Sequence, residues 1–180
     1  NYPDQSGRSM KFIENLGFSL LTYNHVSHSD ISKVAGPIHI KNTAIAGVGA
    51  GGSTVVYTLA CMPQVLGRIS LIDPGSHKKS NLSRYLLSTY DDCTNETSKV
   101  VRATSFLAAR QARLEIIPHP VKYENVKQRG FEVVVSTTDT PEARWNLQRD
   151  WPPLILDTAV IGTIYAVARI LPEKGMCLGC

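Results

Sequence analysis

The stretch TAIAGVGAGGSTVVYTLACM, residues 43–62, decides the fold class of this 180-residue chain. It opens with an apolar run of the kind that forms a strand buried on both faces, and it closes with a helical segment. Between the two, GVGAGG at 47–52 fits the pattern GxGxxG. Glycines there allow a tight turn and a close approach of backbone N–H groups to a phosphate, whose charge the helix N-terminus favours. A glycine-rich turn that only packs helix on strand is the competing interpretation.

Strands and helices alternate over the rest of the chain. The predicted strands are RISLID (68–73), LEIIPHP (114–120), FEVVVST (131–137), PLILDT (153–158) and TIYAVARIL (163–171), and the predicted helices are 53–62, 98–113 and 140–150. This order predicts βαβ units in a Rossmann-like α/β fold, with a doubly wound and mainly parallel sheet. The alternation in 163–171 suggests a strand with one exposed face.

The regular pattern begins at residue 43. We expect residues 1–42 to form a helical and loop extension, and residues 43–180 to form a single nucleotide-binding domain that continues beyond residue 180. We predict Thr140, before Pro141, as the N-cap of its helix, with Asp139 as the alternative cap.

An acid ends the second strand of the predicted domain. Asp73 follows GxGxxG at the distance where a carboxylate can accept hydrogen bonds from both ribose hydroxyls of an adenosine. The alternative is an acid that only caps the turn before Pro74. Up to this point the sequence predicts an adenosine-containing ligand and leaves NAD, FAD and ATP open.

The polar segment after Asp73 contains Ser80-Asn81-Leu82-Ser83-Arg84, which resembles the S-N-L-x-R motif of the ThiF-type family. This family comprises adenylyltransferases of thiamine and molybdopterin biosynthesis and the adenylation domains of ubiquitin-activating enzymes. The resemblance continues with Lys99 at the start of a helix and with Asp139, which an arginine follows five residues later. The closing GMCLGC, at 175–180, resembles the first half of a paired CxxC zinc site.

The resemblance implies a site for ATP and Mg²⁺. The glycine turn would bind phosphate, Asp73 would hold the ribose, and Asp139 would coordinate or orient Mg²⁺. The implied cofactor-binding residues are Gly47, Gly49, Ala50, Gly51, Gly52, Asp73, Ser80, Asn81, Arg84, Lys99 and Asp139. Of these, Arg84, Lys99 and Asp139 are the implied catalytic residues, and Cys177 and Cys180 would supply half of a zinc site.

The reaction implied by the resemblance is attack of a substrate carboxylate on the α-phosphorus of ATP, with release of pyrophosphate. A C-terminal carboxyl group has a pKa of roughly 3.5 and is already ionised at neutral pH, so fixed cations matter more than a general base. The implied substrate is the C-terminus of a ubiquitin-like or sulfur-carrier protein, or a peptide. An NAD(P)-linked oxidoreductase and a non-catalytic nucleotide-binding scaffold stay open as alternatives.

Members of the family often reach the phosphates through an RYxRQ segment, in many cases across a dimer. Here the nearest equivalent, residues 22–25, keeps the tyrosine and lacks the arginines, so a homodimer stays an open expectation.

Composition argues against several other classes of protein. Nineteen basic and fifteen acidic side chains give a net charge of +4, without a basic cluster or an aromatic stripe, so we expect no nucleic-acid partner. No run approaches the roughly 18 apolar residues of a membrane span, and we expect a cytoplasmic protein with no membrane contact. We predict that Cys61 is a core residue, that Cys93 lies in a polar loop, and that the histidines lie at the surface or in loops.

Overall fold

The computed structural model describes residues 17–18, 25–26, 37–62, 64–127, 129–161, 164–175 and 177. The chain divides into two units, residues 1–37 and 38–180. In the first unit, β1 (Gly17–Phe18) pairs antiparallel with β2 (His25–Val26). Residues 22–24 of the segment compared with RYxRQ lie outside the described residues. The predicted boundary at residue 42 stays a prediction.

A seven-stranded sheet organises the described residues of the second unit. Its strands are β3 (Ile38–His39), β4 (Thr43–Ala46), β5 (Val65–Ile72), β6 (Leu114–His119), β7 (Val133–Ser136), β8 (Leu154–Ile161) and β9 (Ile164–Ile170). Their order is β6-β5-β4-β7-β8-β9, and β3 pairs with the beginning of β5. All of these pairs are parallel except β8 with β9, which is antiparallel. The sheet therefore confirms the predicted Rossmann-like, mainly parallel arrangement.

Helices cover both faces of this sheet. They are α1 (Ala50–Cys61), α2 (Tyr90–Thr94), α3 (Lys99–Ala108) and α4 (Pro141–Gln148). Residues of α1 and α3 share one buried cluster with Ile45, whereas Leu147 of α4 shares the other cluster with Ala44 and Ala46. Because consecutive residues of a strand point to opposite faces, the two clusters lie on opposite sides of β4. The fully buried pattern of β4 is what a strand covered on both faces requires.

The edge strand β9 differs from its sequence-based prediction. Residues 166–169 are all exposed, so the expected alternation of one buried and one exposed face is wrong there. Within the described part of the chain β9 is the last strand of the sheet, which explains why its side chains are less covered than those of the central strands.

Two cysteines lie in environments different from those predicted for them. Cys61 is exposed at the end of α1, because that helix packs through the stripe containing Val56 and Ala60. Cys93 is buried in α2, a short helix that a capping box at Thr89 begins and that the polar composition concealed. His77 lies in a loop, as predicted, and its side chain is buried there. None of the described helices has the length and apolar character needed to span a bilayer.

Candidate functional site

A cavity of about 830 Å³ opens at the carboxyl ends of the central strands, where doubly wound folds bind their ligands. It brings together most of the candidate residues that the sequence singles out. Those lining it are Gly47, Gly49, Ala50, Gly51, Asp73, Arg84, Lys99 and Asp139.

Two further candidates from the nucleotide motifs, Gly52 and Asn81, lie next to lining residues of the cavity. A Cβ at position 52 would lie 2.0 Å from the Gly47 carbonyl oxygen, so Gly52 is the residue that lets α1 approach the turn. Asn81 is buried, and its Oδ1 accepts a hydrogen bond of 2.9 Å from Nη2 of Arg84. Ser80 is exposed and is not among the lining residues.

The glycine turn is held in a conformation that most residues avoid. Gly47 has φ of +90°, and its N–H donates to the Ile72 carbonyl at 2.8 Å. The Thr137 hydroxyl donates to the Gly47 carbonyl at 2.6 Å, so the residue that follows β7 also supports the turn. Helix α1 starts after Gly49 with no side-chain cap and no acid in its first turn. Its first N–H groups are therefore suited to bind an anion such as a phosphate.

Asp73 connects three segments of the site. Its Oδ2 accepts the N–H of Val48 at 2.7 Å, and its Oδ1 accepts the N–H of Gly75 at 2.7 Å. Nζ of Lys99, the first residue of α3, lies 3.7 Å from the same Oδ1. The acid thus fixes the glycine turn, the loop after β5 and a cation in one arrangement, and a buried carboxylate requires such partners.

Arg144 anchors the loop that carries Asp139. Its guanidinium donates to the carbonyl of Thr138 at 3.0 Å and to the carbonyl of Thr158 at 3.0 Å, and Nη1 lies 3.4 Å from Oδ2 of Asp157. Thr140, not Asp139, caps α4, because its hydroxyl accepts the N–H of Ala143 at 3.3 Å. The Asp139 side chain is left exposed at the cavity.

Sequence reasoning missed several lining residues. Thr137 and Thr138 follow β7 directly, and the segment 121–124 follows β6, so their position after a parallel strand could have indicated them. Tyr85 is adjacent to Arg84 and had no pattern of its own. Burial raises the pKa of Tyr123, so this phenol in the cavity wall stays protonated at neutral pH.

The carboxylates at the cavity are suited to Mg²⁺, whereas the cysteines predicted to bind Zn²⁺ are not supported as a metal site. Mg²⁺ is typically held by one or two carboxylates together with substrate phosphates, and Asp139 and Glu142 both line the cavity. No cluster of three or more His, Cys, Asp or Glu side chains suited to a metal occurs in the described residues. Cys177 is disulfide-bonded and so offers no thiolate, while Cys180 lies outside the described residues. The predicted zinc half-site therefore gains no support.

Comparison with known proteins matches this chain to one family. The ThiF family model matches residues 35–180. An uncharacterized protein, y4jF, of Sinorhizobium fredii (strain NBRC 101917 / NGR234) is 32% identical over 171 residues, covering 92% of this chain and 32% of that protein. The adenylyltransferase and sulfurtransferase MOCS3 of Aedes aegypti is 30% identical over 118 residues, covering 63% of this chain and 26% of that protein.

A solved structure, E. coli MccB with ATP, shares the fold with a TM-score of 0.64 and 22% identity, covering 78% of this chain and 43% of that one. The chain spans less than half the length of each of these three proteins.

Proposed function

Because the chain belongs to the ThiF family, we propose that it uses ATP to adenylate a substrate carboxylate and releases pyrophosphate. The observation that carries the proposal is the cavity, which combines an uncapped helix N-terminus, a buried acid and two cations. Each component matches one part of ATP. The N–H groups of the glycine turn suit a phosphate, Asp73 suits the ribose, and Arg84 and Lys99 suit the remaining phosphates.

The proposed chemistry depends on electrostatics rather than on proton transfer. The carboxylate is already ionised when it attacks the α-phosphorus, so the site needs no general base. The bond to pyrophosphate breaks with its electron pair on the departing oxygen, and Arg84 and Lys99 neutralise the charge that this leaves. Asp139, with Glu142 near it, would hold Mg²⁺, whose chemistry is to neutralise charge on the phosphates.

For the substrate we propose the C-terminal carboxylate of a ubiquitin-like or sulfur-carrier protein, or of a peptide. The relatives named adenylyltransferase and sulfurtransferase, and the MccB structures solved with MccA, support a protein or peptide substrate. This chain would then be an activating enzyme for such a modifier. Its cytoplasmic location and its dimeric state stay predictions.

ATP–pyrophosphate exchange with a panel of candidate carboxylates tests the proposed function. We expect exchange in the wild type and a loss of roughly 10²–10³-fold in Lys99→Ala and in Asp139→Ala, which is the usual effect of removing one preorganised electrostatic group. Lys78→Ala is the matched control, because this exposed lysine is not a lining residue, and its exchange rate should not change.

Equal exchange in all three variants would contradict the site. Binding of Mg–ATP without exchange on any carboxylate would instead favour the non-catalytic scaffold, and tighter binding of NADH than of ATP would favour an oxidoreductase.

A further inference from the structure

One aromatic ring lies beside both cations of the cavity. Nζ of Lys99 is 5.0 Å from the centroid of the Tyr85 ring, and Cζ of Arg84 is 5.6 Å from the same centroid. Tyr85 itself lines the cavity. Its hydroxyl oxygen lies 3.4 Å from the place that a Cβ on Gly49 would take, so the ring reaches the start of α1. The distances from the two cations to the ring centroid are both within the range of a cation–π contact.

The surroundings of Tyr85 restrict the orientation of the ring. The buried ring of His77 meets it edge-on, with 6.5 Å between centroids. Nδ1 of His77 is in turn within hydrogen-bond distance of the Ser88 hydroxyl, which fixes the imidazole. The N–H of Tyr85 donates to the Asn81 carbonyl at 2.9 Å, in the same turn that holds Arg84. The Tyr85 ring is therefore in contact with the His77 ring, lines the cavity and has the two cations beside it.

The two cations differ in what else compensates their charge. Nζ of Lys99 lies 3.7 Å from Oδ1 of Asp73 as well as 5.0 Å from the Tyr85 centroid, so its ammonium has both a carboxylate and a ring as partners. Arg84 forms no ion pair with a carboxylate among the residues that the structure describes. Its guanidinium donates to Oδ1 of Asn81 and lies over the Tyr85 ring. The Tyr85 ring thus contacts both cations. Its negative face attracts each of them without neutralising either.

We propose that Tyr85 is a positioning residue, which holds Lys99 and Arg84 side by side so that both meet the leaving pyrophosphate. The proposal rests on the proposed function. Each cation–π contact corresponds to about 2- to 30-fold in an equilibrium constant. Loss of the ring should therefore weaken the use of ATP and leave the carboxylate substrate nearly unaffected.

Three variants of the purified protein test this role. Tyr85→Leu removes the ring, and Tyr85→Phe keeps the ring without the hydroxyl. Tyr90→Leu is the matched control, because Lys79 lies 5.0 Å from the Tyr90 centroid but this exposed tyrosine does not line the cavity. In ATP–pyrophosphate exchange we expect kcat/KM for ATP to fall about tenfold or more in Tyr85→Leu. We expect the KM for the carboxylate to stay within about twofold, Tyr85→Phe to restore most of the loss and Tyr90→Leu to match the wild type.

Fluorinated phenylalanines at position 85 separate electrostatics from shape. Successive fluorines weaken the negative face of the ring with little change in its size, so kcat/KM for ATP should fall stepwise along the series. A flat series, or a Tyr85→Leu variant that uses ATP as the wild type does, would overturn the proposal. So would a Tyr85→Phe variant as defective as Tyr85→Leu, since the hydroxyl and not the ring would then matter.

A measurement on the free protein keeps this proposal separate from the proposed function. We expect an amine-specific reagent to modify Lys99 several-fold faster in Tyr85→Leu than in the wild type, as read by mass spectrometry. Lys79 in Tyr90→Leu calibrates the effect of losing such a contact at an exposed site. Faster labelling together with no exchange on any carboxylate would leave the positioning of Lys99 intact and reject the reaction. Unchanged labelling would reject the positioning itself.

Discussion

Nζ of Lys99 lies 3.7 Å from Oδ1 of Asp73, and their side chains are only 13% and 10% exposed. The same carboxylate accepts the N–H groups of Val48 and Gly75, so the glycine turn, the loop after β5 and Lys99 all depend on one side chain. Removing a buried group of this kind leaves its donors and its cation without compensation, which costs more than the contacts alone would suggest. Asp73 should therefore matter for folding as well as for nucleotide binding.

Asp73→Ala should lower the free energy of unfolding by about 3 kcal/mol, because the buried N–H of Val48, the half-buried N–H of Gly75 and Lys99 all lose their partner. Urea denaturation at neutral pH measures the change. The control is Asp91→Ala, in which an exposed acid of α2 is removed, and the expected loss there is below about 1 kcal/mol. Similar losses in the two variants would show that Asp73 does not hold the turn and the loop together.

Gly52→Ala should destabilise the fold far more than Gly49→Ala. A Cβ at position 52 would come within 2.0 Å of the Gly47 carbonyl oxygen, which is backbone and cannot rotate away. A Cβ at position 49 would meet only the end of the Tyr85 side chain, at 3.4 Å. We expect the free energy of unfolding to fall by more than about 2 kcal/mol in Gly52→Ala and by less than about 1 kcal/mol in Gly49→Ala. Thermal unfolding of both variants checks this, and equal melting temperatures would contradict the close approach of α1 to the turn.

The parallel sheet and the position of the cavity were predictable because they depend on the order of residues along the chain. Apolar runs such as 43–46 indicate strands covered on both faces, and side chains directly after parallel strands collect at one edge of the sheet. Asp73 and the glycine turn come together for this reason. The motif match at 80–84 added Arg84 by resemblance, and the cavity contains it.

The features that could not be predicted from the sequence are those set by the direction in which a side chain points in the folded protein. Cys61 and Cys93 have opposite environments from those expected, because helix orientation and the short helix α2 follow from tertiary packing and not from local composition. Tyr85 is one residue from Arg84, yet its contact with Lys99 joins residues 14 positions apart in sequence. No periodicity in the chain encodes such a contact. Residues of this kind become visible only when the turn at 79–85 is folded against α3.

Lowering the pH should reduce stability through His77. Burial lowers the pKa of His77, Asp92 and Asp73 raise it, and Lys99 and Arg102 lower it. Because the folded-state pKa lies below the unfolded value of about 6.5, the unfolded state binds the proton more readily. Stability is therefore fully present above about pH 6.5 and declines below it until the folded-state pKa is passed.

The neutral variant His77→Gln isolates this contribution, since its amide can still bond the Ser88 hydroxyl. Between pH 7 and pH 5 the free energy of unfolding should fall less in His77→Gln than in the wild type, by at most about 1.4 kcal/mol per pH unit. Burial also lowers the pKa of His119, so the variant should keep part of the pH dependence. Denaturant titrations at several pH values measure both curves, and parallel curves would rule out a role for His77.

Arg144 and Asp157 should be strongly coupled in a double-mutant cycle. Their side chains are 21% and 10% exposed with 3.4 Å between Nη1 and Oδ2, whereas Arg68 and Glu115 are closer, at 2.9 Å, but 50% and 55% exposed. Because solvent screens the exposed pair, distance alone predicts the wrong order of coupling. We expect a coupling free energy of unfolding of about 1–3 kcal/mol for Arg144→Met with Asp157→Asn. For Arg68→Met with Glu115→Gln we expect a clearly smaller coupling in the same denaturation measurement.

Of the two arginine substitutions in these cycles, only Arg144→Met should change the rate of ATP–pyrophosphate exchange. Arg144 holds the Thr138 carbonyl beside Asp139, so Arg144→Met should reduce ATP–pyrophosphate exchange as well as stability. Arg68→Met should change neither by more than a small factor, since Arg68 lies outside the cavity. If Arg144→Met lost stability but exchanged at the wild-type rate under conditions where it is folded, the loop would not need this anchor to present Asp139. The cycle on Asp157 would then report only a buried structural ion pair.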